Sequence, residues 1–228
     1  MFKQFFSTLL VPLIFLGAGC STASEIGVNP VTQEEEQEEV AMVEVVFEDG
    51  SYRLNAADSL IAWSAQKRVG SKHNGTVTAQ EGAFVVEQGT IIGGTIVVNM
   101  ATITDLDLTD AGMNAKLVEH LKSDDFFAAE TYPTSTFAIS EIVKVEGIQG
   151  ATHRVTGMMT IKGLENEISF PAKFETSDTG ISMTGTVTLD RTLWDVRYGS
   201  GKFFENLGDS LIEDEFILTL DVFFTAIE

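Results

Sequence analysis

One cysteine, four prolines and three histidines in 228 residues narrow what this chain can be. With Cys20 alone, no disulfide forms within the chain and no zinc site can be built on several thiolates. His73, His120 and His153 fall into no HxH or HExxH spacing, so the sequence shows no metal ligand set. Basic residues are scarce: 14 Lys and Arg stand against 34 Asp and Glu, a net charge of −20. Such a surface repels phosphate backbones and anionic headgroups, which argues against nucleic acid as a partner and against electrostatic membrane attachment. No catalytic constellation emerges. Ser200 in Tyr198-Gly199-Ser200-Gly201-Lys202 lacks the G-x-S-x-G frame and the strand–turn–helix setting of a nucleophile elbow. Lys162-Gly163 follows Thr160-Ile161 rather than a phosphate-cradling glycine loop. No enzyme activity and no cofactor are expected.

What is present begins at the N-terminus. Lys3 precedes an apolar run from Phe5 to Leu16, followed by Gly17-Ala18-Gly19-Cys20. A basic start, about a dozen apolar residues and small residues before a cut describe a secretory signal, since a spanning helix needs about 20. A lone Cys directly after small residues resembles the lipobox of bacterial lipoproteins, which implies signal removal and acylation at Cys20. The pattern departs in one place: Leu usually stands three residues before the Cys, whereas Gly17 stands there here and Leu16 lies one further back. Residues 1–19 are therefore expected to be a signal peptide. Loss of Lys3 with it leaves 13 basic against 34 acidic residues, or −21. From Ser21 to Asp49 come nine acids and no base, a self-repelling tether that makes 20–49 a spacer behind the lipid. Val40 to Phe47 is more apolar and could pair as a first strand or dock locally. The expected location is the cell envelope, lipid-anchored. Ser21 follows the Cys where Asp would signal inner-membrane retention in enterobacteria, so the outer membrane facing the periplasm is favoured.

Residues 50–228 form one domain, large enough for a core of its own. Period two dominates it. Ile92, Gly94, Ile96, Val98 and Met100 share one face; so do Val155, Gly157, Met159 and Ile161; so do Ile168, Phe170, Ala172 and Phe174. Ile181, Met183, Gly185, Val187 and Leu189 repeat the plan, and Phe216 to Phe224 close the chain on it. Strands with one apolar and one polar face specify an antiparallel all-β domain. Turn signals stand at Glu81-Gly82, Gln88-Gly89, Gly147 to Gly150, Lys162-Gly163 and Thr179-Gly180. Eight or nine strands follow, a number that closes into a barrel. One segment differs: behind a Thr109-Asp110 cap, Met113, Leu117 and Leu121 recur every four residues, predicting a short helix near 110–122. It runs into Phe126-Phe127, adjacent aromatics that cannot share one strand face and read as a plug or part of a barrel mouth.

These residues resemble the YceI-like family, the lipid- or polyisoprenoid-binding periplasmic domain. The features stand in order: Ser59-x-Ile61-x-Trp63, then Lys67-x-Val69-Gly70-x-Lys72-His73-x-Gly75, then His120-Leu121-Lys122-Ser123 leading into Asp125-Phe126-Phe127. Tyr132-Pro133-x-x-x-Phe137 follows, then Gly157-x-x-Thr160-Ile161-Lys162-Gly163 with Phe170-Pro171, and Asp190-Arg191-Thr192 ahead of Tyr198-Gly199. Where many members carry Phe-Gly after Arg-Thr, this chain has Leu193-Trp194-Asp195. The resemblance implies a lipocalin-like antiparallel barrel holding an apolar chain in its lumen, and no known enzymatic activity. The ligand it implies is an isoprenoid or other long-chain lipid: polyisoprenoid, quinone or fatty-acid derivative, carried or stored. The alternative reading is a non-enzymatic envelope interaction or stress-response module whose barrel is a packed scaffold, with function on the acidic surface and loops.

The candidate lumen or mouth residues are Trp63, His73, Gly94, Phe126, Phe127, Phe137, Gly157, Phe170, Gly185, Arg191, Trp194 and Tyr198. Glycines on apolar faces leave space that large residues would fill, unless they only relieve crowding or mark bulges. A strand of about ten residues tilted by about 40° gives a lumen roughly 25 Å long. His73 suits a polar headgroup contact or plain turn chemistry. Arg191 suits a local ion pair with Asp190 or a ligand phosphate.

Overall fold

The computed structural model describes residues 45–227. Cys20, the signal peptide and nearly all of the acidic tether lie outside the described residues. Nine strands form a single antiparallel sheet: β1 (Gly50–Leu54), β2 (Leu60–Gln66), β3 (Lys72–Glu87), β4 (Thr90–Asn99), β5 (Thr134–Lys144), β6 (His153–Ile161), β7 (Leu164–Ser177), β8 (Gly180–Asp190) and β9 (Glu215–Ala226). The sheet closes because β3 pairs β4 as well as β1 and β2. β1 and β2 share one position in the ring, end to end: both lie between β9 and β3. Nine strands thus make an eight-membered barrel. Ala56–Asp58, a single 3₁₀ turn capped by the Asn55 side chain, steps the chain from one half of that shared position to the other.

Two hairpins have two-residue loops at Gln88-Gly89 and Lys162-Gly163, and all four residues adopt positive φ. That turn type matches the right-handed strand twist, and glycine in second place makes it cheap. Glu81-Gly82, in contrast, is not a turn. β3 runs straight through it, and Gly82 instead lets the backbone pass close to Thr95 on β4.

Three extra residues break the register: Gln80 on β3, Ile92 on β4 and Ser140 on β5. Each inverts the alternation beyond it. Ile92 is consequently 53% exposed while Ile91 is 3% exposed, the reverse of the expected facing. On β5, Ile139 and Ile142 are both buried for the same reason.

The helix, α1 (Ala111–Lys122), begins where its cap stands: the Asp110 carboxylate accepts the Met113 N–H at 2.8 Å. Leu121 is buried and Leu117 packs on the core, whereas Met113 faces solvent. Before β1, Val45 and Phe47 dock on the barrel without pairing as a strand, Phe47 edge-on to Phe174 with ring centres 5.5 Å apart.

The barrel interior divides into two halves. Around β1, aromatic rings fill it: Tyr52 stacks on Phe84 at 5.0 Å, and Phe84 meets Phe224 at 4.7 Å. His153 lies in the same plug, against Phe47 and Phe174 at 5.3 and 5.2 Å. Burial without a counter-charge, aided by nearby Lys144, holds its pKa below the ordinary histidine value. The half around β2 and beneath α1 is packed differently.

Candidate functional site: an apolar cavity under the helix

In that second half the inward faces enclose a cavity with about 140 Å³ open to the centre of a water-sized sphere. Ile61, Trp63 and Ala65 of β2 and Val77 of β3 form one wall, continued by Phe216, Leu218, Leu220 and Val222 of β9. Met183, Val187 and Leu189 of β8 face Ile96 and Val98 of β4. Met159 and Ile161 of β6, Ile168 and Phe170 of β7 and Phe137 of β5 complete the ring. Leu121 of α1 and Phe126 and Phe127 after it close the top, together with Met100, Ile103 and Ile212.

Only two lining residues, Ser135 and Arg191, carry side-chain polar groups beyond the Trp63 indole. All are directed at the protein. Trp63 Nε1 donates to the Thr104 carbonyl at 3.0 Å, and Ser135 Oγ donates to Met100 Sδ at 3.1 Å. Arg191 Nε donates to Glu213 O, Nη1 to Val196 O and Tyr198 O, and Nη2 to Ile212 O and Asp214 Oδ1. Five donors thus meet five acceptors, none of them a ligand atom. Burial lowers the Arg191 pKa, opposed by the Asp214 and Asp190 carboxylates. Arg191 therefore pins the 196–214 loop over the barrel and offers no donor to a phosphate. Asp190 holds that corner from outside: it accepts from Thr192 N at 3.0 Å and Thr192 Oγ1 at 2.6 Å, and pairs with Lys202. Although burial pushes the Asp190 carboxyl up, these contacts hold it below its usual value.

Of the sequence-predicted residues, Trp63, Phe126, Phe127, Phe137, Phe170 and Arg191 line the cavity. Six others do not. A Cβ on Gly94 would meet Phe84 Cβ at 2.5 Å, and one on Gly157 would meet the Phe137 ring at 2.7 Å. The backbone carbonyls of Ala83 and Ala138 crowd the same positions at 2.6 and 2.4 Å, so the two glycines create no void. Gly185 differs, for a Cβ there meets nothing closer than Pro171 O at 3.2 Å. It lies between Met183 and Val187 on the inward face. Trp194 is fully buried outside the cavity wall, its Nε1 donating to Met159 O at 3.0 Å. Tyr198, 44% exposed, caps the rim against His120 and Phe126 with ring centres 4.6 and 5.3 Å apart. His73 pairs with Ala65 near the start of β3 but does not line the cavity, and its Nδ1 lies 2.9 Å from Asp107 Oδ2.

The methionines and the β9 leucines escaped the sequence reading, although period two placed most of them on inward faces. Nothing in periodicity separates the strand half that lines a void from the half that packs.

A closed eight-membered barrel with an apolar cavity under a single helix is the setting for comparison. The family model described as the YceI-like domain matches residues 52–224, three quarters of the chain. The chain belongs to the YceI-like family. Two solved structures share the YceI-like fold. BcnA of Burkholderia cenocepacia has a TM-score of 0.51 at 22% identity, covering 75% of this chain and 98% of that one. A polyisoprenoid binding domain from Saccharophagus degradans, implicated in plant cell wall breakdown, has a TM-score of 0.55 at 13% identity, covering 79% and 100%. At these identities the likeness shows the fold alone. A UPF0312 protein of Staphylococcus aureus is 31% identical over 81 residues, 32% of this chain and 43% of the relative. Another, from strain USA300, is 29% identical over 100 residues, 40% of this chain and 54% of the relative. The chain spans about half the length of the curated relatives it matches.

Proposed function

We propose that this YceI-like chain is a cell-envelope lipoprotein that takes the apolar chain of a lipid into its barrel and carries or stores it. The observation that supports this most is the cavity itself, enclosed by apolar side chains with every nearby donor turned towards the protein. A site with no unpaired polar group recognises hydrocarbon by shape and burial, and it holds no nucleophile, acid or base to do chemistry. Binding rather than catalysis is therefore the proposed role. The polyisoprenoid binding domain of the same fold supports a polyisoprenoid as the class of ligand; quinones and fatty-acid derivatives share with it only the long hydrocarbon chain that the cavity would take.

Organic extraction of the purified protein followed by mass spectrometry tests the proposal. A stoichiometric long-chain lipid is expected, and an apolar fluorescent probe should compete with it saturably. An extract without lipid, together with non-saturable probe uptake, would sink the binding role. The anchor is a separate proposal resting on residues 16–20. Cys20→Ala should abolish acylation and release the protein from the membrane fraction; a variant that still partitions with detergent would show that Cys20 is not the anchor.

A further inference from the structure

Outside the cavity, three side chains converge from two segments that are distant in sequence. His73 stands near the start of β3, and Asp105 and Asp107 lie on the strap between β4 and α1. Each carboxylate is anchored through one oxygen and presents the other. Asp107 Oδ1 accepts the Asn74 N–H at 2.8 Å, leaving Oδ2 2.9 Å from His73 Nδ1. Asp105 Oδ1 accepts the Leu108 N–H at 2.9 Å and Asn114 Nδ2 at 3.1 Å, leaving Oδ2 3.9 Å from the same nitrogen. That Asp105 Oδ2 is the informative atom. Its side chain is 0% exposed and the oxygen has no hydrogen-bond partner. A buried carboxyl oxygen that faces an imidazole and a second carboxylate is satisfied either by a proton shared with Asp107 or by a cation held among the three groups.

We infer that His73 Nδ1, Asp105 Oδ2 and Asp107 Oδ2 form a divalent transition-metal site. The three atoms lie within 4.8 Å of one another. Ligands at ~2.1 Å in tetrahedral array stand about 3.4 Å apart, so the ion fits with small adjustments of the side chains. One imidazole and two carboxylates suit Zn²⁺, with water in the remaining position, better than Mg²⁺ or Ca²⁺, which prefer oxygen alone. Nδ1 ligates only as a bare ring nitrogen, so the bound form carries the ring proton on Nε2. The outer contacts from Leu108, Asn114 and Asn74 hold both carboxylates in place, the arrangement that metal ligands require.

The ion would staple the strap to β3. The strap already runs beside that strand: Thr104 N donates to Thr76 O and Leu106 N to Asn74 O, both at 2.9 Å. At its start is Ile103, in the cavity wall, and at its end α1, the cavity cover. The site does not depend on the lipid-binding proposal, because none of its three residues lines the cavity.

Calorimetric titration of the chelator-stripped full chain with ZnCl₂ tests it. One equivalent should bind and raise the melting temperature, with Mg²⁺ at least tenfold weaker. Asp105→Asn keeps an oxygen for Leu108 and Asn114, and should weaken Zn²⁺ binding at least tenfold; His73→Gln should do the same, and Asp178→Asn in the β7–β8 turn should leave it unchanged. Co²⁺ in place of Zn²⁺ should give visible d–d bands in the parent that His73→Gln abolishes, which decides the matter even if Asp105→Asn does not fold. No saturable binding, or binding that survives His73→Gln with the d–d bands intact, would overturn the site.

Discussion

At the scale of single residues, chemistry that looks functional in the sequence is often fastening. Arg191 and Trp194 have the residue types of a lipid-headgroup site, yet their donors are directed to backbone carbonyls and one carboxylate. The glycines divide in the same way. Gly157→Leu must displace the Phe137 ring and should destabilise the barrel by about 1–3 kcal/mol or more in urea unfolding. At Gly185, between Met183 and Val187 on the inward face, the tightest contact of an added Cβ is Pro171 O at 3.2 Å, so Gly185→Leu should cost less stability than Gly157→Leu and reduce bound lipid. Equal destabilisation by both, with lipid content unchanged, would mean that Gly185 does not face usable space. His153 supplies a pH-dependent residue. Its folded pKa lies below that of the unfolded chain, near 6.5, so the unfolded state takes up the proton first. The contribution is fully present above about pH 6.5 and is lost as the pH falls through the folded value. His153→Gln should flatten the stability profile just below pH 6.5 in chemical denaturation at stepped pH; an unchanged slope would place the acid sensitivity elsewhere.

At the scale of elements, the strands were legible because period two is a direct record of an inside and an outside. β7, β8 and β9 have the facings that the alternation predicts. What alternation cannot record is an inserted residue. Ile92 has the same chemistry as Ile91, and only pairing to β3 decides which one the bulge turns outward. The metal triad was hidden for a related reason: His73 and the Asp105-x-Asp107 pair become neighbours only when the strap lies along β3. The helix was readable from its cap and its four-residue spacing, and the cap can be tested. Asp110→Ala removes the acceptor of the Met113 N–H and should cost ~1 kcal/mol, seen as faster amide exchange across 111–122. Because Leu121 and the following aromatics close the cavity, the same variant should release an apolar probe faster. Faster amide exchange without faster release would show that α1 is not the gate.

At the scale of the whole molecule, the barrel is half plug and half container, and this limits what it can hold. The uniform roughly 25 Å lumen expected from strand length and tilt does not exist, because Phe84, Phe174 and Phe224 occupy the end nearest β1. The open half, with about 140 Å³ for the centres of water-sized groups, has room for on the order of ten such groups. Burying ten methylenes gains roughly 8 kcal/mol gross at ~0.8 kcal/mol each, comparable to the loss of translational and rotational freedom on association. A lipid of twenty carbons or more gains further only if the remainder leaves through the mouth along apolar surface or the cavity widens. Met100, Met159 and Met183 in the wall are the side chains best able to yield, being unbranched and adaptable. A homologous series of fatty acids, competed against a fluorescent probe, separates these possibilities. Affinity should rise about fourfold per methylene up to about ten carbons, the factor that ~0.8 kcal/mol implies, and more slowly beyond. If the slope continues unbroken to twenty carbons, the methionine wall opens, and Met159→Ile should restore the break. Affinity independent of chain length would mean that the hydrocarbon is not in the barrel at all.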